Sequence, residues 1–243
     1  MEFVIKAEKL TKSYGSLIAL DQFDLSVGRG EIWGLLGANG AGKSTAVECI
    51  IGTRKADYGT TAILGMDPQK DRKKVFERVG VQFQENSYQD KIRVSELCET
   101  TVSLYKNPKD PKLLLHQFGL SDKLNAMVSE LSGGQKQRLF LVLALIPGPE
   151  VIFLDELTTG LDVRARRDVW NRILDLKENG LTVVLTSHFM DEVEMLCDKI
   201  MILKNGITVF RGTVPEAISD SPCTKLEDAY FYFTEGRSYN ENV

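Results

Sequence analysis

One stretch of the 243-residue chain has both the residue types and the spacing to do chemistry: Gly37-Ala38-Asn39-Gly40-Ala41-Gly42-Lys43-Ser44-Thr45. It follows the pattern G-x-x-x-x-G-K-S, a phosphate-binding loop. Glycines at 37, 40 and 42 keep Cβ atoms out of a tight turn, so backbone N–H groups can converge on phosphate oxygens. Lys43 brings a mobile positive charge to the outer phosphates, and the Ser44 hydroxyl suits Mg²⁺. A glycine-rich turn with an incidental lysine would look the same, so the neighbouring residues must decide.

Further candidates stand where apolar runs end. Val151-Ile152-Phe153-Leu154 closes on Asp155-Glu156. Asp155 is placed to hold Mg²⁺ directly or through water, as a phosphate site requires. Glu156 suits a base or a positioning group for an attacking water. An acidic loop start is the competing reading, and the phosphate loop weakens it. In the run Val79 to Gln84, Gln82 and Gln84 point to one face of a strand. Gln84 lies at the strand end, where side chains reach the ligand crevice of open α/β sheets; a surface glutamine is the alternative. Thr182 to Thr186 is another buried run, ending at Ser187-His188. Tyr14, in the turn between the first two strands, could stack on a base ring or pack within its strand.

These residues need elements to hold them. Ile32 to Leu36 reads as a buried strand, and Ser44 to Ile51 as a helix whose N-terminus favours anions. The first thirty residues alternate short apolar runs (Val4-Ile5, Phe23 to Val27) with glycines, which predicts an antiparallel sheet. Gly59 to Gly65 is a short strand with a turn, and Pro68 to Glu77 a charged helix. Residues 87–144 carry almost no strand pattern, with helices opening at Val94, around Leu113 to Phe118 and from Gly133 to Leu145. Beyond them the α/β pattern resumes: Val163 to Leu176 and Met190 to Cys197 as helices, then a hairpin across Asn205-Gly206. Pro215 opens a short helix. The fold class is α/β: a mostly parallel sheet with flanking helices, an N-terminal antiparallel β subdomain and an inserted all-helical subdomain.

Composition narrows the function. With 43% hydrophobic and 26% charged residues the chain is ordinary for a globular protein, and its net charge of −4 argues against a nucleic-acid surface. The longest apolar run, Leu139 to Pro147, is too short to span a membrane, and Met1 to Lys6 has no signal-peptide pattern. Cys49, Cys98, Cys197 and Cys223 lack metal-ligand spacing and read as reduced thiols; His116 reads as a surface or packing histidine. A cytoplasmic chain is expected, and any work at a membrane would need a partner that supplies the spans.

Leu131-Ser132-Gly133-Gly134-Gln135 adds the most specific signal. Two glycines opening a helix cost roughly 1 kcal/mol each relative to alanine, which makes sense if backbone N–H groups must approach an anion. Ser132 capping a plain turn is the simpler reading. This pentapeptide, followed by Lys136-Gln137-Arg138, resembles the signature of ABC (ATP-binding cassette) transporter nucleotide-binding subunits. With the phosphate loop, Asp155-Glu156 and His188 in order, the resemblance covers nearly the whole chain. It implies a P-loop NTPase fold in one ABC ATPase domain over 1–243. Residues 1–86 and 145–220 would form the RecA-like core with its antiparallel β subdomain, 87–144 the helical subdomain and 221–243 a tail. It implies ATP and Mg²⁺ as ligands. Tyr14 would be the adenine-stacking aromatic, and Gln84 would touch Mg²⁺ or water and signal to a membrane subunit. Ser132, Gly134 and Gln135 would contact the γ-phosphate of ATP held by a second copy. Leu161-Asp162 would cross the dimer interface, His188 would contact the γ-phosphate, and Glu156 would polarise the water. The stretch from Glu85 to Tyr105 would receive a separate transmembrane permease. Leu157 stands where the family usually has proline, so a more flexible turn with intact ATPase activity is expected.

The tail Thr224 to Gly236, with Leu226-Glu227-Asp228 and then aromatics, resembles the ends of exporter ATPases of drug, antibiotic and bacteriocin-immunity type. An aromatic helix closing the core is compatible with that. An importer or lipoprotein-release ATPase, or a soluble non-transport ABC ATPase, are the alternatives.

Overall fold

The computed structural model describes residues 3–83, 88 and 91–236. Strands β1 (Phe3–Tyr14) and β2 (Leu17–Gly28) pair antiparallel, and β3 (Ile32–Leu36) runs through the phosphate loop into α1 (Lys43–Ile50). Next come β4 (Tyr58–Ile63), α2 (Arg72–Phe76) and β5 (Val79–Gln82), followed by α3 (Val94–Ser103), α4 (Pro111–Gln117) and α5 (Gly133–Leu145). The α/β order returns with β6 (Val151–Asp155), α6 (Val163–Glu178), β7 (Thr182–Ser187) and α7 (Met190–Leu196). A hairpin of β8 (Lys199–Lys204) and β9 (Ile207–Gly212), then α8 (Val214–Ser219) and α9 (Leu226–Glu235), follow.

Two sheets result. One is antiparallel, ordered β2-β1-β4; the other runs β5-β6-β7-β3-β8-β9, parallel except for the last pair. The apolar runs behave as fully covered parallel strands, with every residue of β3, β6 and β7 buried. Alternate residues divide between two cores. Val151, Phe153 and Val184 pack with α1 and the antiparallel sheet, whereas Ile152, Leu154, Val183 and Leu185 pack with Val94, Leu114, Phe118 and Leu139 of the helical region. The helices between β5 and β6 therefore share a core with one face of the sheet. Gly80 lets them dock, because a Cβ there would strike the Ala144 carbonyl.

Three expected boundaries shift for local reasons. The charged helix begins at Arg72 and not Pro68, because the Asp67 carboxylate accepts from the Gln69 and Lys70 N–H groups and makes a turn first. The first two strands run 12 residues each, longer than the apolar runs, by absorbing irregularities near Lys9 and Gln22, both at positive φ. The helix after the phosphate loop starts one residue earlier, at Lys43.

Charged pairs pin the N-terminal ends of the parallel strands. Glu31 accepts from Lys199 Nζ (2.7 Å), Trp33 Nε1 (2.8 Å) and the Gly28 N–H (2.8 Å). Partial burial pushes its pKa up, but Lys199, Trp33 and the Gly28 N–H outweigh that and hold it below the usual glutamate range. Glu150 takes Arg78 at 2.5 Å and Arg29 at 2.9 Å; the Arg78 hydrogen bond leads in lowering its pKa. Asp198 accepts from Lys177 and from the Ile32 N–H.

Candidate active site

The phosphate loop leaves the C-terminal end of β3 and turns under α1. Gly42 caps that helix at φ 106°, and a Cβ there would run into the Ala19 carbonyl oxygen, so only glycine fits. Lys43 is buried, and its ammonium donates to the carbonyls of Gly37 (2.7 Å) and Ala38 (3.2 Å). Burial pushes its pKa down, while the charges of Glu156 and Asp155 pull it back up.

β6 delivers Asp155 to the same place from 111 residues away in sequence: Ser44 Oγ donates to Asp155 Oδ2 at 3.3 Å. The Thr186 hydroxyl, at the end of β7, donates to the other carboxylate oxygen and accepts from the Glu156 N–H at 3.1 Å. Glu156 sits at φ 51°, a costly region for a non-glycine residue, held there by Thr186. Its carboxylate accepts from the Thr159 hydroxyl (3.4 Å) and lies 3.6 Å from His188 Nδ1, an ion pair when the imidazole is protonated. The His188 ring packs on Phe189 with centroids 4.1 Å apart.

The turn after Glu156 is anchored from behind. Leu157, in the place where proline is usual, is buried in the core shared with the helices. Thr158 donates to Glu192 Oε1 at 2.8 Å, and the same oxygen accepts from Trp170 Nε1 at 3.1 Å. Glu192 lies on α7, the helix that follows His188, so one buried carboxylate ties the Glu156 turn to the His188 loop.

Two clefts meet at Asn39 and Glu156. The first, about 360 Å³, is lined by Tyr14, Leu17, Ala19, Asn39, Gly40, Gly42, Lys43, Ser44 and Thr45 together with Glu156. Tyr14 is 40% exposed, with the Arg54 guanidinium 5.4 Å and the Lys12 ammonium 5.7 Å from its ring centre. Glu48 holds that arginine and Asp57 that lysine, which fixes the ring beside the loop. The second cleft, about 610 Å³, brings Gly37 and Asn39 together with Glu156, His188, Phe189 and the α9 residues Glu227, Tyr230 and Phe231.

The signature residues lie elsewhere. Ser132 caps α5, accepting from the Gln135 N–H, while Gln135 Oε1 accepts from the Ser132 N–H. Neither they nor Gly134 line either cleft. Asp162 caps α6 by accepting from the Ala165 N–H, and it too lines neither. Gln84 falls outside the described residues, as do Glu85 and Asn86. Gln82, the last residue of β5, is buried and donates to Gln137 on α5 at 2.7 Å, joining β5 to the signature helix. Sequence reasoning missed Thr186, although it is the next-to-last residue of the strand leading to His188. It also missed Glu192 and Leu17, and it read the α9 aromatics as a tail feature without placing them beside the phosphate loop.

Among the described residues no group of three or more His, Cys, Asp or Glu side chains is placed to hold a metal ion by itself. Ser44 and Asp155 supply two hard oxygen donors, which fits Mg²⁺, an ion that keeps waters and binds through one or two protein groups plus phosphates. Residues 20–159, which contain the phosphate loop, the signature and the Asp155-Glu156 strand end, match the family described as ABC transporter. The chain belongs to that family. Among its relatives is the Nod factor export ATP-binding protein I of Mesorhizobium japonicum, 40% identical over 217 residues, covering 87% of this chain and 63% of the relative. The daunorubicin resistance ATP-binding protein DrrA2 of Streptomyces coeruleorubidus is 36% identical, covering 87% of this chain and 67% of the relative. The chain thus spans less than two thirds of the first relative's length. Among solved structures, the ADP conformation of MJ1267, an ATP-binding cassette of an ABC transporter, superposes with a TM-score of 0.79 at 26% identity, covering 95% of this chain and 99% of that one. The ABC cassette fold accounts for the two sheets and the helical region between β5 and β6.

Proposed function

We propose that this chain is the ATP-hydrolysing subunit of an exporter, working as a two-fold dimer that encloses two ATP molecules and drives a separate membrane subunit. One observation carries the reading. Lys43, Ser44, Glu156 and His188 line the two clefts and Asp155 is joined to them through Ser44, all from three strand ends, whereas Ser132 to Gln135 line neither cleft. A second copy, related by a two-fold axis, would bring its signature residues over the phosphate loop. The γ-phosphate charge then joins the two halves, and its loss on hydrolysis lets them part.

Each residue has a role that its geometry supports. Tyr14, with Leu17 and Ala19 beside it, offers a face for the adenine ring. The loop N–H groups of Gly40, Gly42, Lys43, Ser44 and Thr45 cradle phosphates, with Asn39 at the rim, and Lys43 turns from the loop carbonyls toward the outer phosphates. Ser44 and Asp155 hold Mg²⁺, joined by Gln84 in the family pattern, and the ion when bound neutralises developing phosphate charge. Glu156 takes a proton from water and His188 holds the γ-phosphate, while Ser132, Gly134, Gln135 and Asp162 act on the nucleotide of the other copy. Export is favoured over import because the relatives are named for Nod factor export and daunorubicin resistance. No described helix is long and apolar enough to cross a membrane, so in this reading the chain sits on the cytoplasmic face through its permease.

Glu156→Gln tests the reading. We expect turnover to fall by about 10²- to 10⁴-fold, the range for losing a general base, with a stable dimer in saturating ATP by light scattering. A variant that stays monomeric in ATP, or hydrolyses it at the wild-type rate, overturns it. Co-purification of the wild-type chain with a polytopic membrane protein separates transport from a soluble ATPase.

A further inference from the structure

The last helix and the start of α6 carry surfaces of complementary chemistry: Tyr230 and Phe231 are only partly buried, and Tyr230 also packs on the core formed with Phe210 and Leu226. On α9, Leu226 and Ala229 are buried and Phe233 packs on Phe210 with centroids 4.8 Å apart, which fixes that face to the fold. The residues at 227, 230, 231 and 234 form another stripe at helical spacing, and this stripe walls the clefts beside Gly37 to Gly40 and His188. It offers Tyr230 and Phe231 as apolar surface and Glu227 as an acid. The neighbouring Asp191 is engaged by Arg166 at 3.1 Å, whereas Glu227 has no ion pair among the described residues.

The start of α6 offers the opposite. Val163 is 70% exposed, and the adjacent Arg164 is exposed with no ion pair among the described residues. This pair sits beside the signature: a Cβ on Gly134 would come within 2.9 Å of Leu161 Cδ2, two residues before Val163. The α9 stripe, for its part, sits beside the phosphate loop. A two-fold axis that sets the signature of one copy on the phosphate loop of the other also sets the neighbours of one on the neighbours of the other. We infer that Val163 and Arg164 of the second copy dock in the cleft walled by α9, with Val163 on Tyr230 and Phe231 and Arg164 paired to Glu227. The inference rests on the ATP-enclosing dimer proposed above and adds a latch at its outer edge. The closed state then depends on α9 as well as on the nucleotide. An apolar and cationic knob matches an aromatic and acidic cleft in both shape class and charge.

A charge swap tests this. The parent is full-length Glu156→Gln, and the readout is its dimer dissociation constant in saturating ATP by sedimentation equilibrium. We expect Arg164→Glu and Glu227→Lys each to weaken the dimer about tenfold, and the two together to recover most of that loss, as an interacting pair does in a double-mutant cycle. ATP binding and melting curves of each variant confirm that it folds. Unchanged dimerisation in either single variant overturns the latch, as does a double variant no better than the worse single one. If the Glu156→Gln parent itself stays monomeric, the enclosing dimer fails and the latch with it. If the parent dimerises and the swap does not restore, only the latch fails.

Discussion

At the N-terminal end of the parallel strands Glu31 meets Lys199 at 2.7 Å, Glu150 meets Arg78 at 2.5 Å and Arg29 at 2.9 Å, and Asp198 meets Lys177 at 2.6 Å. At the C-terminal end of the same sheet, Asp155 is oriented by the neutral hydroxyls of Ser44 and Thr186, and Glu156 by Thr159, with His188 3.6 Å away. The contrast separates structural carboxylates from chemical ones. The lower acids spend their charge on cations of their own chain, which holds strand ends together. A neutral hydroxyl fixes a carboxylate's direction without neutralising it, so in the proposed reading the upper acids keep their charge for a metal ion or for taking a proton from water. The buried Lys43 fits the second class, since its ammonium rests on carbonyl oxygens that phosphates can replace.

Substitutions at the two ends should therefore fail in different ways. The largest effect is expected from Lys43→Ala, which removes the buried ammonium that the proposed reading turns from the loop carbonyls toward the transferring phosphate. Its kcat/KM for ATP should drop by about 100- to 1,000-fold, the scale of losing a preorganised donor, with little change in melting temperature. Wild-type hydrolysis in that variant would erase the distinction. Next is Asp155→Asn, which keeps an acceptor for one hydroxyl but loses the charge. We expect activity to fall by about 10- to 100-fold and to recover in part as Mg²⁺ is raised, in a titration of initial rates against free Mg²⁺. A loss of stability with no Mg²⁺ dependence would move Asp155 into the structural class.

How much of this was open to sequence reasoning follows the range of the interactions. The β3–loop–α1 unit is local: an apolar run, glycines at fixed steps and a helix pattern occupy under twenty residues, so its place and chemistry could be read directly. The same is true of Ser132 at the head of α5, where a cap and its partner lie three residues apart. Thr186 and Glu192 were beyond reach because they act on residues 31 and 34 positions away, brought near only by strand order. The α2 start escaped for the opposite reason: a side-chain turn at Asp67 competed with a helix pattern that looked sufficient. The α9 stripe was visible as aromatics, but its position beside the phosphate loop depends on how the β8–β9 hairpin carries the chain back across the sheet.

The smallest expected effect sharpens the comparison from below. Glu31→Gln removes a charge that binds Lys199, Trp33 and the end of β2, all remote from the clefts, so kcat and KM for ATP should stay at wild-type values. Stability near pH 7 should fall by about 1 kcal/mol in urea unfolding, at the low end for charge-assisted hydrogen bonds because Lys199 is 40% exposed and screened. The pH dependence has a definite sign. The folded carboxyl titrates below its unfolded value of about 4.3, so its contribution is complete above that pH and disappears as pH falls through the lower folded value. The gap between wild type and Glu31→Gln should therefore close in acid and remain constant from pH 5 upward. A gap that widens in acid, or a drop in kcat with no loss of stability, would mean that the lower acids serve the reaction after all.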